Sequence, residues 1–258
     1  MADAKTFVAG APAWIDLASS DPAASAEFYG KLFGWKVQQL GPEAGGYTMA
    51  KLSGKDVAGI GPLQNPQQPT AWSLYIGTRD ADGVAKKVQA AGGTVIAPPF
   101  DVLDQGRMGV FQDPSGAFIS VWEPKKMQGA DVMFAPGAYS WAELNSRGFE
   151  KAAPFYAKVF GWTEKRSPMG EGQGDYTEFQ VEGQSVAGGM EMNPMVPSDV
   201  PSYWMVYFGV ADVDAEHKKA TELGAHEMLG PQDFPGGRFS ILADPQGAVF
   251  GLLKMQQA

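Results

Sequence analysis

The chain lacks cysteine and has only two histidines among its 258 residues. Without thiols it cannot form disulfides, use a cysteine nucleophile or bind a metal ion through sulfur. No apolar run approaches the roughly 18 residues that a membrane-spanning helix needs. The N-terminal stretch Met1–Phe7 has no apolar core of the kind found in signal peptides. We therefore expect a cytoplasmic protein that does not enter a membrane.

Basic residues are also in short supply. The chain has 20 Lys and Arg against 29 Asp and Glu, which gives a net charge of −9. A phosphate backbone repels such a chain, and no basic stripe offsets the repulsion, so we expect no nucleic-acid partner. The remaining composition, 44% hydrophobic and 19% charged, is that of a globular protein. The length suits two domains of about 130 residues each.

A strong internal repeat divides the chain. The pattern W-x-[DE]-L, followed by FY and FGW, begins at Trp14 and again at Trp141, 127 residues later. Gly-Arg, Asp-Pro and Gly-Ala pairs begin at positions 106, 113 and 116 of the first copy, and at 237, 244 and 247 of the second. Two homologous halves are therefore predicted. We place the domains at 1–127 and 128–258, with the linker within Pro124–Gly137.

Each half contains a weaker repeat of one strand, one helix and three strands. In the first unit, Asp21-Pro22 predicts a helix start and Gly34 a helix end. Four βαβββ units are predicted, at about 10–62, 70–125, 136–192 and 201–256. Paired units form curved mixed sheets with helices on the convex face, and the concave face is free for a ligand. The fold class is α+β, and the units can pair within each half or across halves.

These motifs resemble those of the glyoxalase/bleomycin-resistance/extradiol-dioxygenase superfamily, also called vicinal oxygen chelate (VOC) proteins. The duplicated form is most similar to the actinobacterial glyoxalase-like antigen and hydroxylase-labelled group. The resemblance covers roughly 10–256 and implies two tandem VOC domains. It implies the fold more specifically than the function, because isomerases, dioxygenases, thiol transferases and plain binding proteins share this architecture.

The resemblance also implies where a metal ion would bind. Metal-dependent relatives use first-strand and last-strand ligands, and the matching positions here are Trp14, Trp141, Ser73, Met205, Ser120 and Gly251. His217 is expected on a solvated helix face and His226 at the start of a strand. A catalytic divalent site needs about three nitrogen or oxygen ligands. We therefore expect no metal and no other cofactor, and neither a metal-dependent glyoxalase nor a metal-dependent dioxygenase.

Strand alternation predicts which side chains face the concave surfaces. The residues expected to contact a ligand are Trp14, Ser73, Tyr75, Ser120, Trp122, Trp141, Asn145, Met205 and Tyr207. Aromatic walls with a few polar groups suit a planar or partly apolar organic molecule. Trp14 and Trp141 either line the ligand or plug the cavity.

Asp16 and Glu143 are repeat-equivalent carboxylates on the same predicted surfaces. Burial would raise their pKa and suit a general base or an anchor for a cationic ligand. The alternative is structural: Arg107 and Arg238 are also repeat-equivalent, and each could cross the sheet to form an internal ion pair with a carboxylate.

Three functions are compatible with these residues. The first is metal-independent binding or sequestration of a small aromatic or cationic molecule, as the bleomycin-resistance branch of the superfamily implies. The second is a metal-free lyase, isomerase or cyclase that uses Asp16 or Glu143 as a base. The third is a structural or regulatory protein that acts through its surface because its pockets are closed. The expected partner is a small organic molecule, and the chain could be a monomer or a homodimer.

Overall fold

The computed structural model describes residues 7–170 and 174–256. The first half runs β1 (Pro12–Ser19), α1 (Pro22–Phe33), β2 (Lys36–Gln39), β3 (Thr48–Leu52), β4 (Lys55–Pro62), β5 (Ala71–Gly77), α2 (Ala81–Ala90), β6 (Thr94–Val102), β7 (Gly106–Gln112) and β8 (Phe118–Pro124). The second half runs β9 (Tyr139–Ser146), α3 (Phe149–Phe160), β10 (Thr163–Pro168), β11 (Asp175–Val181), β12 (Gln184–Glu191), β13 (Tyr203–Gly209), α4 (Val213–Glu222), β14 (His226–Phe234), β15 (Gly237–Ala243) and β16 (Val249–Met255). These are the four predicted strand–helix–three-strand units.

Each half forms one eight-stranded mixed sheet. The strand orders are β2-β3-β4-β1-β5-β8-β7-β6 and β10-β11-β12-β9-β13-β16-β15-β14. The two units of a half meet where β1 pairs with β5, and where β9 pairs with β13, in antiparallel register. The units therefore pair within each half, which the sequence left open. The α+β fold with two tandem, curved VOC-type domains is confirmed.

Local sequence signals explain three of the helix starts and two of the helix ends. Asp21, Asp80 and Asp212 each accept a hydrogen bond from the backbone N–H three residues on, as N-cap side chains do. Gly34 and Gly161 end α1 and α3 with φ of 74° and 75°, a left-handed conformation that costs glycine little.

Helix α3 begins differently. Gly148 precedes it and offers no capping side chain, and the carboxylate of Glu191, from β12, accepts hydrogen bonds from the N–H groups of Gly148 and Phe149 at 2.8 and 2.7 Å. A charge brought from another strand therefore satisfies the first N–H groups of the helix and complements its dipole.

The two halves share one hydrophobic core. The buried cluster includes residues of both sheets and all four helices. Phe208 of β13 contacts the rings of Tyr29, Phe33, Trp35 and Trp72 of the first half, with ring centroids 4.9 to 6.1 Å apart. Aromatic packing of this kind stabilises beyond its buried area.

Two repeat-equivalent hydrogen bonds join the halves. Tyr29 donates to Asp244 at 3.0 Å, and the repeat-equivalent Tyr156 donates to Asp113 at 2.7 Å, so each helix is tied to the opposite half. All four residues are buried. The predicted linker packs as well, because the backbone N–H of Ala130 bonds to Ala13 in the first half, and residue 137 bonds to residue 209 in the second.

The expectation for His217 is wrong. Val213, His217 and Ala220 form the buried side of α4, at the i, i+4, i+7 spacing of a helix face turned to the core. The Nε2 atom of His217 lies 2.7 Å from a carboxylate oxygen of Glu227. His226 opens β14, as predicted. None of the helices in the described parts of the chain is long and apolar enough to cross a bilayer.

Candidate functional site

The sheet faces opposite the helices carry the predicted site residues. Ile15 and Leu17 are buried beneath α1, whereas Trp14 and Asp16 alternate with them on β1 and point to the other face. We call the helix-free face of the first sheet around Asp16 the first cup. The corresponding face of the second sheet, around Glu143, is the second cup.

In the first cup, two tyrosines converge on one carboxylate. Oδ2 of Asp16 accepts hydrogen bonds from the hydroxyls of Tyr75 at 2.9 Å and Tyr47 at 3.3 Å. The Tyr47 hydroxyl accepts in turn from the Trp14 indole N–H at 3.0 Å. Ser73 lies directly opposite Asp16 across the β1–β5 pairing. One surface of the sheet therefore carries Trp14, Asp16, Ser73 and Tyr75.

The environment of Asp16 changes its acidity. Burial raises the pKa of its carboxyl from 3.8 to about 6, and hydrogen bonds from Tyr75, Tyr47 and Ser73 only partly offset that rise. The desolvation of the charged form thus outweighs three donors. Burial and the nearby Asp16 charge also raise the pKa of both tyrosines well above its ordinary value, so their hydroxyls stay protonated and donate.

The second cup repeats this arrangement with a longer carboxylate. Glu143 accepts hydrogen bonds from the Tyr207 hydroxyl and the Asn145 amide, both at 3.2 Å. The Trp141 indole donates to the Tyr176 hydroxyl at 2.8 Å, and Tyr176 also hydrogen-bonds to Glu143. Burial raises the pKa of Glu143 above its usual value, against these donors.

The two cups differ in polarity and exposure. The residue opposite the carboxylate is the half-buried Ser73 in the first cup and the buried Met205 in the second. Asp16 is partly exposed, whereas Glu143 is 8% exposed. The second carboxylate is therefore more enclosed and its surroundings are more apolar.

An apolar surface surrounds Glu143. Met205, Tyr207 and Leu253 form a small buried cluster, separate from the main core, and partly exposed side chains pack around it: Trp141, Tyr203, Phe234, Phe239, Ile241 and Val249. The rings of Phe239 and Tyr207 meet edge to face with centroids 6.4 Å apart. Partly exposed aromatic rings around a carboxylate suit a flat organic ligand.

Tyr47 and Tyr176 were missed by the sequence analysis. Each follows a loop, lies more than 30 residues from its carboxylate, and bends over a glycine of the adjacent strand. A Cβ at Gly59 would overlap the Tyr47 hydroxyl, and one at Gly188 would overlap that of Tyr176. The signal was a tyrosine–threonine pair at equivalent repeat positions, with a glycine in each facing strand.

The ion pairs suggested for Arg107 and Arg238 with the cup carboxylates are not formed, because both arginines pair with other residues. Arg107 forms a two-point ion pair with Asp82 at 3.0 Å and also reaches Asp101, while Arg238 pairs in the same way with Asp214 and Asp233. These partners lie in the first turns of α2 and α4 and on the edge strands, so the guanidinium groups stay near the surface. Asp16 and Glu143 are held by phenols instead.

Three of the expected contact residues have other roles. The Trp122 ring covers Gly106, and its N–H donates to the Met127 carbonyl at 2.9 Å, so it packs rather than lines a ligand surface. Ser120 is buried beside Tyr75 and hydrogen-bonds to it. Trp14 is only 3% exposed and packs at the edge of the first cup with its indole N–H on Tyr47, whereas its repeat equivalent Trp141 remains partly exposed.

The donor set of the cups does not fit a divalent metal ion. Within residues 7–170 and 174–256, no three His, Cys, Asp or Glu side chains are grouped so as to hold an ion. Each cup has one central carboxylate already bonded to tyrosines, and Glu178, on the same face of the second sheet, is held by Lys165 and Ser185. The last-strand position of the second cup is Gly251, and the Tyr207 ring lies over it where a larger side chain would have to stand.

Exposed aromatic rings lie at the first cup, and two cavities lie elsewhere on the molecule. Two cavities, of about 190 and 530 Å³, are both lined by residues of α1 and its surroundings, not by Asp16 or Glu143. At the first cup, Phe118 and Phe100 project on the cup side of β8 and β6 and are 55% and 46% exposed. A ligand would therefore lie across aromatic side chains at the cup surface.

Residues 11–121 match the family model described as Glyoxalase/Bleomycin resistance protein/Dioxygenase superfamily, and residues 141–253 match the Glyoxalase-like domain. The chain therefore belongs to this superfamily, with two tandem domains.

Curated relatives match over nearly the whole chain. The anthracycline biosynthesis protein DauV of Streptomyces sp. (strain C5) is 39% identical over 269 residues, covering 98% of this chain and 96% of the relative. The putative glyoxylase CFP32 of Mycobacterium tuberculosis is 39% identical over 251 residues, with 95% of each chain covered.

Solved structures confirm the fold at lower identity. The Mn(II)-bound glyoxalase from Novosphingobium aromaticivorans matches with a TM-score of 0.66 and 18% identity, over 95% of this chain and 81% of that chain. The 2,3-dioxygenase LapB from Pseudomonas sp. KL28 matches with a TM-score of 0.63 and 15% identity, over 94% and 91%. At this identity the likeness extends to the fold alone.

Proposed function

We propose that this protein binds a planar aromatic small molecule on its cups, without the help of a metal ion. The observation that carries the proposal is the second cup, where partly exposed rings surround Glu143 and its phenol and amide partners. A flat ligand would stack on the rings, while its hydroxyl or carbonyl groups would exchange hydrogen bonds with the polar centre.

The names of two relatives support an aromatic ligand class. Two anthracycline biosynthesis proteins, DauV and DnrV, are 39% and 40% identical to this chain over almost its full length. Anthracyclines are by definition polycyclic hydroxyquinones, which are planar and carry hydroxyl and carbonyl groups at their edges. The aromatic surface and hydrogen-bonding centre of the second cup are complementary to such a molecule.

The donor set supports the proposed metal independence. A divalent ion needs about three oxygen, nitrogen or sulfur donors around one point, and each cup has one carboxylate held by tyrosines. Recognition therefore rests on stacking and hydrogen bonds. The carboxylates would also attract a ligand amine, which allows a cationic aromatic molecule as a partner.

A fluorescence titration with 1,4-dihydroxyanthraquinone tests this proposal, because Trp141 lies in the second cup. We expect saturable quenching by the metal-free protein. Phe239→Ala should weaken the affinity about tenfold, since it removes one ring of the binding surface at a cost of about 1.4 kcal/mol. Phe134→Ala is the matched control, because Phe134 is 61% exposed and belongs to neither cup.

Two results would contradict the proposal. If the two variants bind equally well, the ligand does not occupy the second cup. If the wild-type fluorescence is unchanged throughout the titration, the cups are closed, and the protein acts through its surface.

A further inference from the structure

The proposed function leaves the first cup with an ionisable group that binding alone does not require. Asp16 is the more exposed of the two cup carboxylates, and the hydroxyl of Ser73 rather than an apolar side chain stands opposite it. At the equivalent place, Met205 and Asn145 enclose Glu143. The first cup thus leaves its carboxylate within reach of a bound molecule.

The hydrogen bonds from the two tyrosines orient the carboxylate of Asp16. Tyr47 accepts from the Trp14 N–H, so its own proton points to Asp16, and Tyr75 is bonded to Ser120 and likewise donates to Asp16. Both tyrosines bond to Oδ2. The carboxylate is therefore held as an acceptor in one orientation, and Oδ1, which neither tyrosine contacts, is the oxygen open to a ligand beside the Ser73 hydroxyl.

We infer that the first cup is a proton-transfer site, in which Oδ1 of Asp16 removes a proton from a carbon next to a ketone of the bound aromatic molecule. This inference rests on the proposed binding function. It needs no oxidant, reductant or second substrate.

The step balances within the ligand and the protein. The C–H bond breaks, its proton moves to Asp16, and its electron pair forms the carbon–carbon double bond of an enolate. The carbonyl electron pair moves to the oxygen, and because Asp16 now carries the proton and needs its donors less, Tyr75 or Tyr47 can turn its hydroxyl from Oδ2 to this oxygen as its charge grows. Return of the proton to the same carbon gives exchange, and return to another position gives an isomer.

The acidity of the groups agrees with this assignment. Burial raises the pKa of Asp16 to about 6, so the group is ionised at neutral pH yet a stronger base than an ordinary aspartate. The tyrosines are kept protonated by burial and by the Asp16 charge, which suits hydrogen-bond donors to an enolate oxygen.

The test uses 2-tetralone, a bicyclic aryl ketone with acidic C–H groups next to its carbonyl. Proton NMR in D2O at neutral pD follows the replacement of these hydrogens by deuterium in the presence of the full-length protein. Tryptophan fluorescence measures binding of the same compound in parallel, so that binding and exchange are separated.

We expect wild-type protein to accelerate the exchange and Asp16→Asn to reduce the accelerated rate by 100-fold or more, with affinity within a few-fold of wild type. Asp16→Glu should recover part of the rate, because the repeat-equivalent position carries glutamate among the same partners. Asp82→Asn is the matched control and should exchange at the wild-type rate, because Asp82 is exposed and pairs with Arg107 outside the cup. Melting curves establish that each variant is folded.

The two failures are distinguishable. If 2-tetralone binds but exchanges at the buffer rate, or equally fast with wild type and the folded Asp16→Asn variant, the proton-transfer inference is wrong and the binding function stands. If neither 2-tetralone nor 1,4-dihydroxyanthraquinone changes the fluorescence, the proposed binding function is wrong, and the inference falls with it.

Discussion

Asp16 is the single residue through which pH acts most directly on the first cup. Its carboxyl has a folded-state pKa of about 6 against 3.8 for an ordinary aspartate, because burial disfavours the charged form. Between these two values the folded protein holds a proton that the unfolded chain releases. The contribution of Asp16 to the stability of the fold therefore falls as the pH rises from about 4 to about 6.

Asp16→Asn removes this titration and should flatten that part of the stability profile. Two pKa units correspond to about 3 kcal/mol, so urea unfolding at pH 4 and at pH 7 should show the wild type losing up to about 3 kcal/mol relative to the variant. All other carboxyl groups are common to the two proteins. A constant difference between them across this range would mean that the pKa of Asp16 is not raised.

At the residue scale the sequence places Tyr75 and Tyr207 on the same surfaces as the carboxylates they bond to, but it misses Tyr47 and Tyr176. The repeat and the strand alternation were enough to place Asp16 beside Trp14, and Glu143 beside Trp141, because both signals are local. Tyr47 was missed because its contact with Asp16 depends on its side chain lying over Gly59 of β4, which strand alternation does not predict. The arginines were given the wrong partners because a long side chain can reach several carboxylates, and sequence spacing does not choose among them.

Helix α3 is the element whose N-terminus is capped by a residue from a strand. Glu191 caps the N-terminus of α3 from β12, whereas α1, α2 and α4 are capped by their own aspartates. We expect Glu191→Ala to lower the free energy of unfolding by about 1 to 2 kcal/mol, the usual cost of losing a helix cap. Thermal unfolding at neutral pH measures the change.

Glu222→Ala provides the comparison for that experiment. Its side chain is 66% exposed on α4 and pairs with Lys218 at 3.8 Å, and such a surface ion pair contributes little to stability. This variant should unfold within about 0.5 kcal/mol of wild type. Equal losses in the two variants would rule out a capping role for Glu191.

Helices and strands could be predicted from the sequence where the signals lie within the element itself. Aspartate caps, a glycine stop and alternating apolar residues gave the element order in both halves. The cap of α3 was not readable, because its acceptor lies some 40 residues further along the chain. The buried side of His217 was missed because its lysine neighbours suggested a solvated face, although Val213 and Ala220 mark the opposite one.

The whole molecule should unfold as one unit. The halves share a core and are joined by the buried Tyr29–Asp244 and Tyr156–Asp113 hydrogen bonds. Scanning calorimetry should therefore show a single transition, and Tyr29→Phe should shift all of it downward by about 1 to 3 kcal/mol, because the Asp244 carboxylate loses a buried donor. Two separate transitions, with only one displaced by the substitution, would mean that the halves are independent domains.

The pairing of units could not be predicted from the sequence, since both arrangements satisfy the same repeat. It depends on which first strands meet, and that contact is long-range: β1 pairs with β5 rather than with a strand of the other half. The junction between the halves could not be predicted either, because its tyrosine–aspartate hydrogen bonds join residues far apart in the chain.

The central claim is that the cups serve an aromatic organic ligand and not a metal ion. The most direct measurement is the thermal stability of EDTA-treated protein with 1,4-dihydroxyanthraquinone, and separately with Mn²⁺, Zn²⁺ or Ni²⁺. The aromatic compound at a hundred times its Kd should add about 2.7 kcal/mol of stability, and the metal ions should add none. Stabilisation by a metal ion, or by the aromatic compound only when a metal ion is present, would contradict the claim.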